Sequence, residues 1–378
     1  MDSVTIFHHV KKREAWICDT LRELVQQESP SEDRPAVNAA MALVERMARE
    51  QRARVKRHRQ REFGDVFEFR FGPPRSSRKP VLLLGHLDTV WPLGTLSKMP
   101  WREADHRYWG PGVLDMKAGV VMALAALNTL RELKLARPAI LLLNSEEEVG
   151  SPISRAITER LALESAAVLV LEPAQGLAYK TARKGVGHYY VEVTGVAAHS
   201  GVDFERGHSA ILELAKLIQT ISGFTNLARK LTVNCGVIAG GTRSNVVASS
   251  AHCEVDVRIA KASDAAYVEK LFRGLKVSDP HCKLAITGGI NRPPMERKAG
   301  TIALFKKARS LAAELGFNLE EAATGGGSDG NFTAALGVPT LDGMGAVGEG
   351  AHAAHESVII EHLVPRTALL AAMIAGIE

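Results

Sequence analysis

Three short, unbroken apolar runs constrain the fold of this chain more than any other feature of its sequence. They read VLLL at residues 81–84, AILLL at 139–143 and AVLVL at 167–171. Runs of this length without polar alternation are typical of strands buried on both faces, as in parallel sheets. A helical pattern at residues 117–133 separates the first two runs, and another helix separates the last two. This order predicts an α/β domain with a mainly parallel sheet flanked by helices.

The pattern changes in the middle of the chain. Alternating segments and helical patterns follow one another there, with strands predicted at 188–193, 231–238 and 251–259 and helices at 209–220 and 264–273. The order β-α-β-β-α-β predicts a small ferredoxin-like α+β layer whose antiparallel sheet is exposed on one face. We therefore expect an inserted domain at residues 182–291 and a discontinuous core domain formed by residues 1–181 and 292–378.

The flanking parts of the chain have the texture of the core domain. Further helices are predicted at 10–27, 34–49, 300–316 and 363–377, and further strands at 65–71 and 338–341. A chain of 378 residues is too long for one small core, which agrees with two domains.

Composition excludes several classes of protein. With 46% hydrophobic and 24% charged residues, the chain is an ordinary globular protein. Its net charge of +5 is concentrated in residues 46–61. Because Glu50 and apolar residues interrupt that stretch, a solvated helix end leading into an edge strand is favoured over a nucleic-acid surface. We expect no nucleic-acid partner.

The cysteines and apolar stretches bear on the location of the protein. The four cysteines, Cys18, Cys235, Cys253 and Cys282, have no C-x-x-C spacing and predict reduced thiols. The N-terminal residues contain no long apolar stretch, and the apolar runs, such as residues 120–127, are shorter than a membrane span. We therefore expect a cytoplasmic protein with no membrane partner.

Ionisable side chains follow each of the three apolar runs. His86 and Asp88 follow the first, residues 146–148 (all Glu) follow the second, and Glu172 follows the third. Sites in open α/β sheets lie outside the carboxyl ends of the strands, so these groups should converge. Converging charges are costly unless they are neutralised, and imidazole with carboxylate but no thiolate favours zinc, with cobalt or manganese as alternatives.

Two glycine-rich loops contain further candidate ligands. Asp115 lies in the loop after Pro111, and His352 lies in the loop before the last helix. Two metal ions a few ångströms apart need a bridging carboxylate, and Asp115 is the natural candidate.

These segments resemble the M20 family of metallopeptidases, and in detail the branch that contains carboxypeptidase G2. The matching segments span nearly the whole chain in the family's order: GHLDTVWP (85–92), GPGVLDMKAG (110–119), NSEEEVGS (144–151), LEPA (171–174), GVAAHSG (195–201), GGTRSNVV (240–247), TGGGSDGNF (324–332) and GEGAHAAHE (348–356). The resemblance implies a di-zinc catalytic domain and an inserted lid and dimerisation domain.

The resemblance also implies a role for each site residue. One zinc ion would be bound by His86 and Glu172, the other by Glu148 and His352, and both by Asp115. Glu147 would be the general base, and Asp88 would orient His86. The Asp115–Met116 peptide bond would be cis. Alignment on Gly150 leaves Glu146 without a role, and His355 is the alternative to His352.

The implied reaction is hydrolysis of an amide bond by a water that two zinc ions activate. Glu147 would move the proton, and His199 from the inserted domain of a partner subunit would stabilise the oxyanion, which implies a homodimer. Arg258, Asn245 and the stretch around Gly326 would bind substrate, with the arginine on a carboxylate. We expect a carboxypeptidase that releases a C-terminal amino acid such as glutamate from a peptide or N-acyl amino acid.

Two alternatives remain open. An N-acyl-amino-acid deacylase, similar to acetylornithine deacetylase, would use the same chemistry on a different substrate. A non-catalytic binding protein on the same scaffold would be favoured by loss of Glu147 or of a ligand, but all of these residues are present.

Overall fold

A computed structural model describes residues 3–135 and 137–377, which divide into two compact units. The core unit comprises the chain up to Ala182, Arg297–Ala323 and the chain from Ser328. The inserted unit comprises Arg183–Glu296 and the short segment Thr324–Gly327.

The α-helices of the described residues are, in chain order, α1 (Ser3–Lys11), α2 (Glu14–Gln26), α3 (Arg34–Glu50), α4 (Ala118–Glu132), α5 (Arg155–Glu164), α6 (Ala210–Ser222), α7 (Ser263–Arg273), α8 (Ala299–Glu314), α9 (Gly330–Ala335) and α10 (Ile360–Gly376). The strands are β1 (Arg54–His58), β2 (Val66–Phe71), β3 (Val81–His86), β4 (Arg102–Ala104), β5 (Arg107–Trp109), β6 (Ala139–Asn144), β7 (Ala167–Val170), β8 (Tyr179–Arg183), β9 (Gly185–Thr194), β10 (Thr232–Gly240), β11 (Ser250–Ile259), β12 (Lys283–Arg292), β13 (Glu321–Thr324), β14 (Thr340–Leu341), β15 (Gly348–Glu349) and β16 (Ser357–Ile359).

A six-stranded sheet in the order β1-β2-β6-β3-β7-β14 forms the centre of the core unit. The three apolar runs are the neighbouring strands β6, β3 and β7, and β3 is parallel to both of the others. Every residue of these three strands is buried. β14 continues the parallel part, while β2 and β1 are antiparallel. The predicted fold class, α/β with a mainly parallel sheet, is confirmed, and the basic segment at 46–61 is the end of α3 followed by edge strand β1.

The main core contains α4 and α10, most of whose residues are buried. The stretch Val113–Glu132 is long and apolar enough to cross a membrane, and 94% of its most apolar window is buried inside the protein. It therefore has the character of a core helix. The prediction from residues 120–127 underestimated this apolar stretch because Ala118 and Gly119 extend it toward the N-terminus and Leu130 follows after only two uncharged polar residues.

The helix predicted at 10–27 corresponds to α2 (Glu14–Gln26), and the preceding helix α1 was not predicted. The chain forms two helices there, α1 and α2, separated by two residues. The break lets each helix direct its own apolar residues into the core, since Ile6 and Val10 of α1 and Leu21 and Leu24 of α2 are all buried.

The inserted unit has a four-stranded antiparallel sheet in the order β10-β11-β9-β12. Helices α6 and α7 connect its strands in the order β-α-β-β-α-β, which is the ferredoxin-like arrangement. Every second residue of β9 and β11 is buried, and most of these residues pack in one apolar cluster with the inner faces of α6 and α7. The residues of β9 and β11 that point to the other face are half-buried or exposed, and β10 and β12 are the edges of the sheet.

A second small sheet of the core unit, β15-β16-β5-β4, was missed by the sequence analysis. Its strands have only two or three residues, too short for a clear alternating pattern. β16 pairs with β5 and so brings the loop that contains His352 beside the loop that contains Asp115.

Candidate metal centre

The carboxyl ends of β3, β6 and β7 bring the predicted groups of the core unit together. His86 is the last residue of β3 and lies opposite Asn144, the last residue of β6. The glutamates at 146–148 follow directly, and Glu172 follows β7 by two residues. Because the three strands are parallel neighbours, their ends coincide at one edge of the sheet.

The first group of possible metal ligands consists of His86, Asp115 and Glu172. Nε2 of His86 lies 3.3 Å from Oδ1 of Asp115 and 3.5 Å from Oε1 of Glu172. The second group consists of Asp115, Glu148 and His352. Nε2 of His352 lies 3.1 Å from Oε1 of Glu148 and 3.4 Å from Oδ2 of Asp115. Asp115 thus turns one carboxylate oxygen toward each histidine.

These residues fit a pair of divalent metal ions. Nε2 of His86 is buried and has no hydrogen-bond partner among the described residues, although two carboxylate oxygens are near it. An orphaned imidazole nitrogen facing carboxylates is a suitable ligand for a cation. Two imidazoles and three carboxylates, without thiolate, suit zinc, cobalt or manganese.

The electrostatics of the site favour positive charge at its centre. Asp115 and Glu148 raise the pKa of His352 to about 10. Burial disfavours protonation of His86, but its carboxylate neighbours, Asp115 first, outweigh burial and hold its pKa well above the usual value. Burial also opposes ionisation of Asp115, yet His352 and His86 lower its pKa. Burial raises the pKa of Glu148.

Asp88 links the two sides of the site. It is fully buried, and its Oδ1 lies 3.3 Å from Nδ1 of His86, which also contacts the Asp88 carbonyl oxygen at 3.0 Å. The same carboxylate accepts hydrogen bonds from the backbone N–H groups of Glu147 and Glu148, each at 3.1 Å, and from the Ser31 hydroxyl at 2.7 Å. Asp88 therefore positions the glutamates as well as His86, a second task that the sequence analysis missed.

The three consecutive glutamates have different surroundings. Glu146 is fully buried and accepts hydrogen bonds from the backbone N–H of Ser154 at 2.6 Å and the hydroxyl of Ser145 at 2.7 Å. It points into the protein and stabilises the following turn. Glu147 is half-buried, and Glu148 lies beside His352. His352, and not His355, belongs to a ligand group within the described part of the chain.

Glu356 holds the loop that contains Asp115, and the sequence analysis missed it. One of its oxygens accepts the backbone N–H groups of Leu114 at 2.8 Å and Asp115 at 3.0 Å. The other accepts the N–H of Gly112 at 2.9 Å and the indole N–H of Trp91 at 2.8 Å. Burial raises the pKa of this carboxyl group, and the four hydrogen bonds oppose that rise. No local pattern distinguishes this glutamate, because its partners are more than 200 positions away.

The backbone has unusual geometry at three places in or next to the site. The Asp115–Met116 bond is cis, as the resemblance implies, and His352 has a left-handed backbone with φ of 63°. A non-glycine residue in that region is strained and is common at functional sites. Gly345 approaches β7 so closely that a Cβ atom would lie 2.2 Å from the carbonyl oxygen of Leu171, just before Glu172.

The remaining predicted residues lie in the inserted unit. His199 is exposed in the loop 196–208, and it pairs with Val246 through the backbone. Asn245 accepts the N–H of Ser200 through its carbonyl oxygen at 3.0 Å, and its side chain is exposed. Arg258 is paired with Asp256 at 2.8 Å, and its Nη1 lies 3.4 Å from the carbonyl oxygen of Gly325, next to Gly326. His199 and Asn245 thus lie on adjacent loops. Arg258 and Gly326 form a second pair of neighbouring residues.

Comparison with known proteins identifies the family. Residues 82–376 match the model of peptidase family M20/M25/M40. Carboxypeptidase G2 of Pseudomonas sp. (strain RS-16) is 31% identical over 303 residues, which cover 78% of this chain and 72% of that protein. Acetylornithine deacetylase of Myxococcus xanthus is 27% identical over 316 residues, covering 80% and 82%.

Solved structures show the same fold. Aminopeptidase PepT from Bacillus cereus superposes with a TM-score of 0.79 at 20% identity, covering 96% of this chain and 98% of that chain. A tripeptidase from Staphylococcus aureus gives a TM-score of 0.80 at 20% identity with the same coverage. This chain belongs to peptidase family M20/M25/M40 and is a hydrolase of that metal-dependent family. The resemblance inferred from its motifs is confirmed.

Proposed function

We propose that the core unit binds two zinc ions and hydrolyses an amide bond, releasing a C-terminal amino acid such as glutamate from a peptide or N-acyl amino acid. The observation that supports this most directly is the sharing of Asp115 by two ligand groups. Cobalt or manganese are possible substitutes for zinc. In this proposal residues 1–181 and 292–378 are the catalytic domain, and residues 182–291 are the lid and dimerisation domain.

The roles of the protein's own residues follow from their chemistry. Metal ions bound at such a site supply Lewis acidity and lower the pKa of a water. Glu147 then accepts the proton of the attacking water and passes it to the leaving nitrogen. Asp88 keeps His86 and the Glu147 backbone in place through its hydrogen bonds. His199 donates a hydrogen bond to the oxyanion.

Substrate binding is assigned to the inserted unit. Arg258 uses part of its guanidinium on Asp256, and its remaining N–H groups can bind the α-carboxylate of a substrate. Asn245 and the backbone at Gly326 would complete the contact. The likeness to carboxypeptidase G2 favours a peptide substrate, whereas the likeness to acetylornithine deacetylase keeps N-acetyl amino acids as the second candidate.

We also propose a homodimer through the inserted unit and a cytoplasmic location. β10 is an edge strand on which Val237 and Ile238 are exposed, and the neighbouring helix α6 exposes Ile211 and Leu212. Exposed apolar edges favour association, and a two-fold axis would pair this surface with itself. The location is supported by the four cysteines, all of which are free thiols.

A matched pair of histidine variants tests the metal centre. His352→Ala should lose about half of the catalytic metal and nearly all hydrolysis, because Glu148 and Asp115 lose their imidazole partner. His355→Ala, three residues away, should retain both. Elemental analysis and hydrolysis of acetyl-, benzoyl- and dipeptidyl-glutamate are the measurements. Hydrolysis that persists after all metal is removed contradicts the proposal, and a preference for the acetyl substrate favours the deacylase.

A further inference from the structure

A third group of possible metal ligands lies entirely within the inserted unit, outside the centre described above. It consists of His208, Asp279 and His281, whose ligand atoms all lie within 4.8 Å of one another. We propose that these three residues bind a transition-metal ion of the zinc class, separate from the catalytic metals, and that this ion fixes the base of the loop that contains His199.

The three side chains already lie close to one another. Nδ1 of His208 lies 2.7 Å from Oδ2 of Asp279. The other oxygen of Asp279 accepts the backbone N–H of His281 at 2.9 Å, which orients the carboxylate. The two imidazole rings lie face to face with their centroids 4.1 Å apart. Ligand atoms about 2 Å from a tetrahedral ion are little more than 3 Å apart, and rotation of the stacked imidazoles would bring the three ligand atoms, which lie within 4.8 Å of one another, to that spacing.

The donor set selects the class of ion. Two imidazoles and one carboxylate suit zinc or a similar divalent ion and leave a fourth position for water. They suit calcium and magnesium poorly, since those ions prefer oxygen ligands. Asp279 also lines a cavity of about 720 Å³ together with Ser209 and Ser278, and His281 is exposed, so an ion can reach these two ligands from solvent.

The position of His208 gives the ion a structural role. His208 and Val196 exchange two backbone hydrogen bonds of 2.9 Å, which close the loop 196–208 at its base. The closure is tight, because a Cβ atom on Gly195 would lie 2.1 Å from the carbonyl oxygen of His208. Asp279 and His281 lie in a different segment, between α7 and β12.

An ion bound there would therefore connect two segments that are distant in sequence. The tip of the loop is already held by the backbone bonds from Ser200 to Asn245 and from Val247 to Ala198. The ion would hold its base, so that the backbone around His199 is fixed at both ends. Binding of the ion does not depend on the proposed amide hydrolysis, so either proposal can fail alone.

Zinc stoichiometry tests the site. In a full-length chain with His86→Ala and His352→Ala, the catalytic centre is disabled, and equilibrium dialysis against Zn²⁺ should still leave about one ion per chain. Adding His281→Asn should remove that ion. His281 is exposed, so this change should leave the fold intact, which circular dichroism checks. His188→Asn, on an exposed histidine of the same unit, is the matched control and should retain the ion.

Two results would overturn the site. The first is that the chain with His86→Ala and His352→Ala retains no more zinc than the chain that also carries His281→Asn. The second is that the ion remains bound after His281→Asn is added. The role is tested by tryptic cleavage at Arg206, which is exposed in the loop. Zn²⁺ should slow that cleavage several-fold in the chain with His86→Ala and His352→Ala. It should have no such effect when His281→Asn is added to the same chain. Unchanged cleavage with zinc bound would overturn the role in fixing the loop.

Discussion

The two units present their candidate functional residues in opposite ways. In the core unit, His86, Asp88 and Glu172 are buried at strand ends and held by further hydrogen bonds. In the inserted unit, His199 and Asn245 are exposed on loops. The core unit thus preorganises its site through its own packing. The inserted unit presents groups that its own fold does not bury, as expected for residues that complete a site only with substrate or a second subunit.

The largest effect should come from Glu147, the proposed base of the core unit. Glu147→Gln should lower kcat by about 10²–10⁴-fold and leave the metal content unchanged, because an amide cannot accept the proton of water. Glu146→Gln is the matched control. It should lower the free energy of unfolding by about 1–3 kcal/mol, because Glu146 is a buried hydrogen-bond acceptor. If Glu146→Gln is the variant that loses turnover, the assignment of the glutamates is wrong by one residue.

The comparison predicts that the exposed His199 acts in a site that its own unit does not contain. His199→Ala should lower kcat by about 10²–10³-fold with no change in metal content. Mixing His199→Ala chains with Glu147→Gln chains should restore part of the activity, because one site of the mixed dimer then has both groups. Demonstrated subunit exchange without recovery would place His199 in the site of its own chain or outside catalysis. A fully active monomer would exclude the shared site.

The smallest effect should come from Glu356, which acts on the core site only through the backbone. Glu356→Gln should weaken metal binding by about 10–100-fold, because the N–H groups of Leu114 and Asp115 lose a charged acceptor. Glu349→Gln, on an exposed glutamate paired with Arg107, is the control and should bind metal normally. Competition for zinc with a metallochromic chelator measures both. Equal affinities in the two variants would mean that the loop is fixed by its other contacts.

Much of the core site could be predicted from the sequence because its residues follow strands directly. VLLL with His86, AILLL with the glutamates and AVLVL with Glu172 are local patterns, and parallel neighbours align their ends. The inserted unit could also be predicted from local patterns, because its alternating strands and its helices are visible in neighbouring residues. Helix α1 was not predicted, since it has only nine residues and no proline or glycine separates it from α2.

The sequence by itself determined the fold class, the order of the elements and the ligand types, because burial on both faces and alternation are written in neighbouring residues. Only the tertiary structure decided which of three adjacent glutamates turns inward, that Glu356 holds the loop with Asp115, and that His208 meets Asp279 and His281. Such contacts can join residues that are more than 200 positions apart, and their geometry depends on how the whole chain packs.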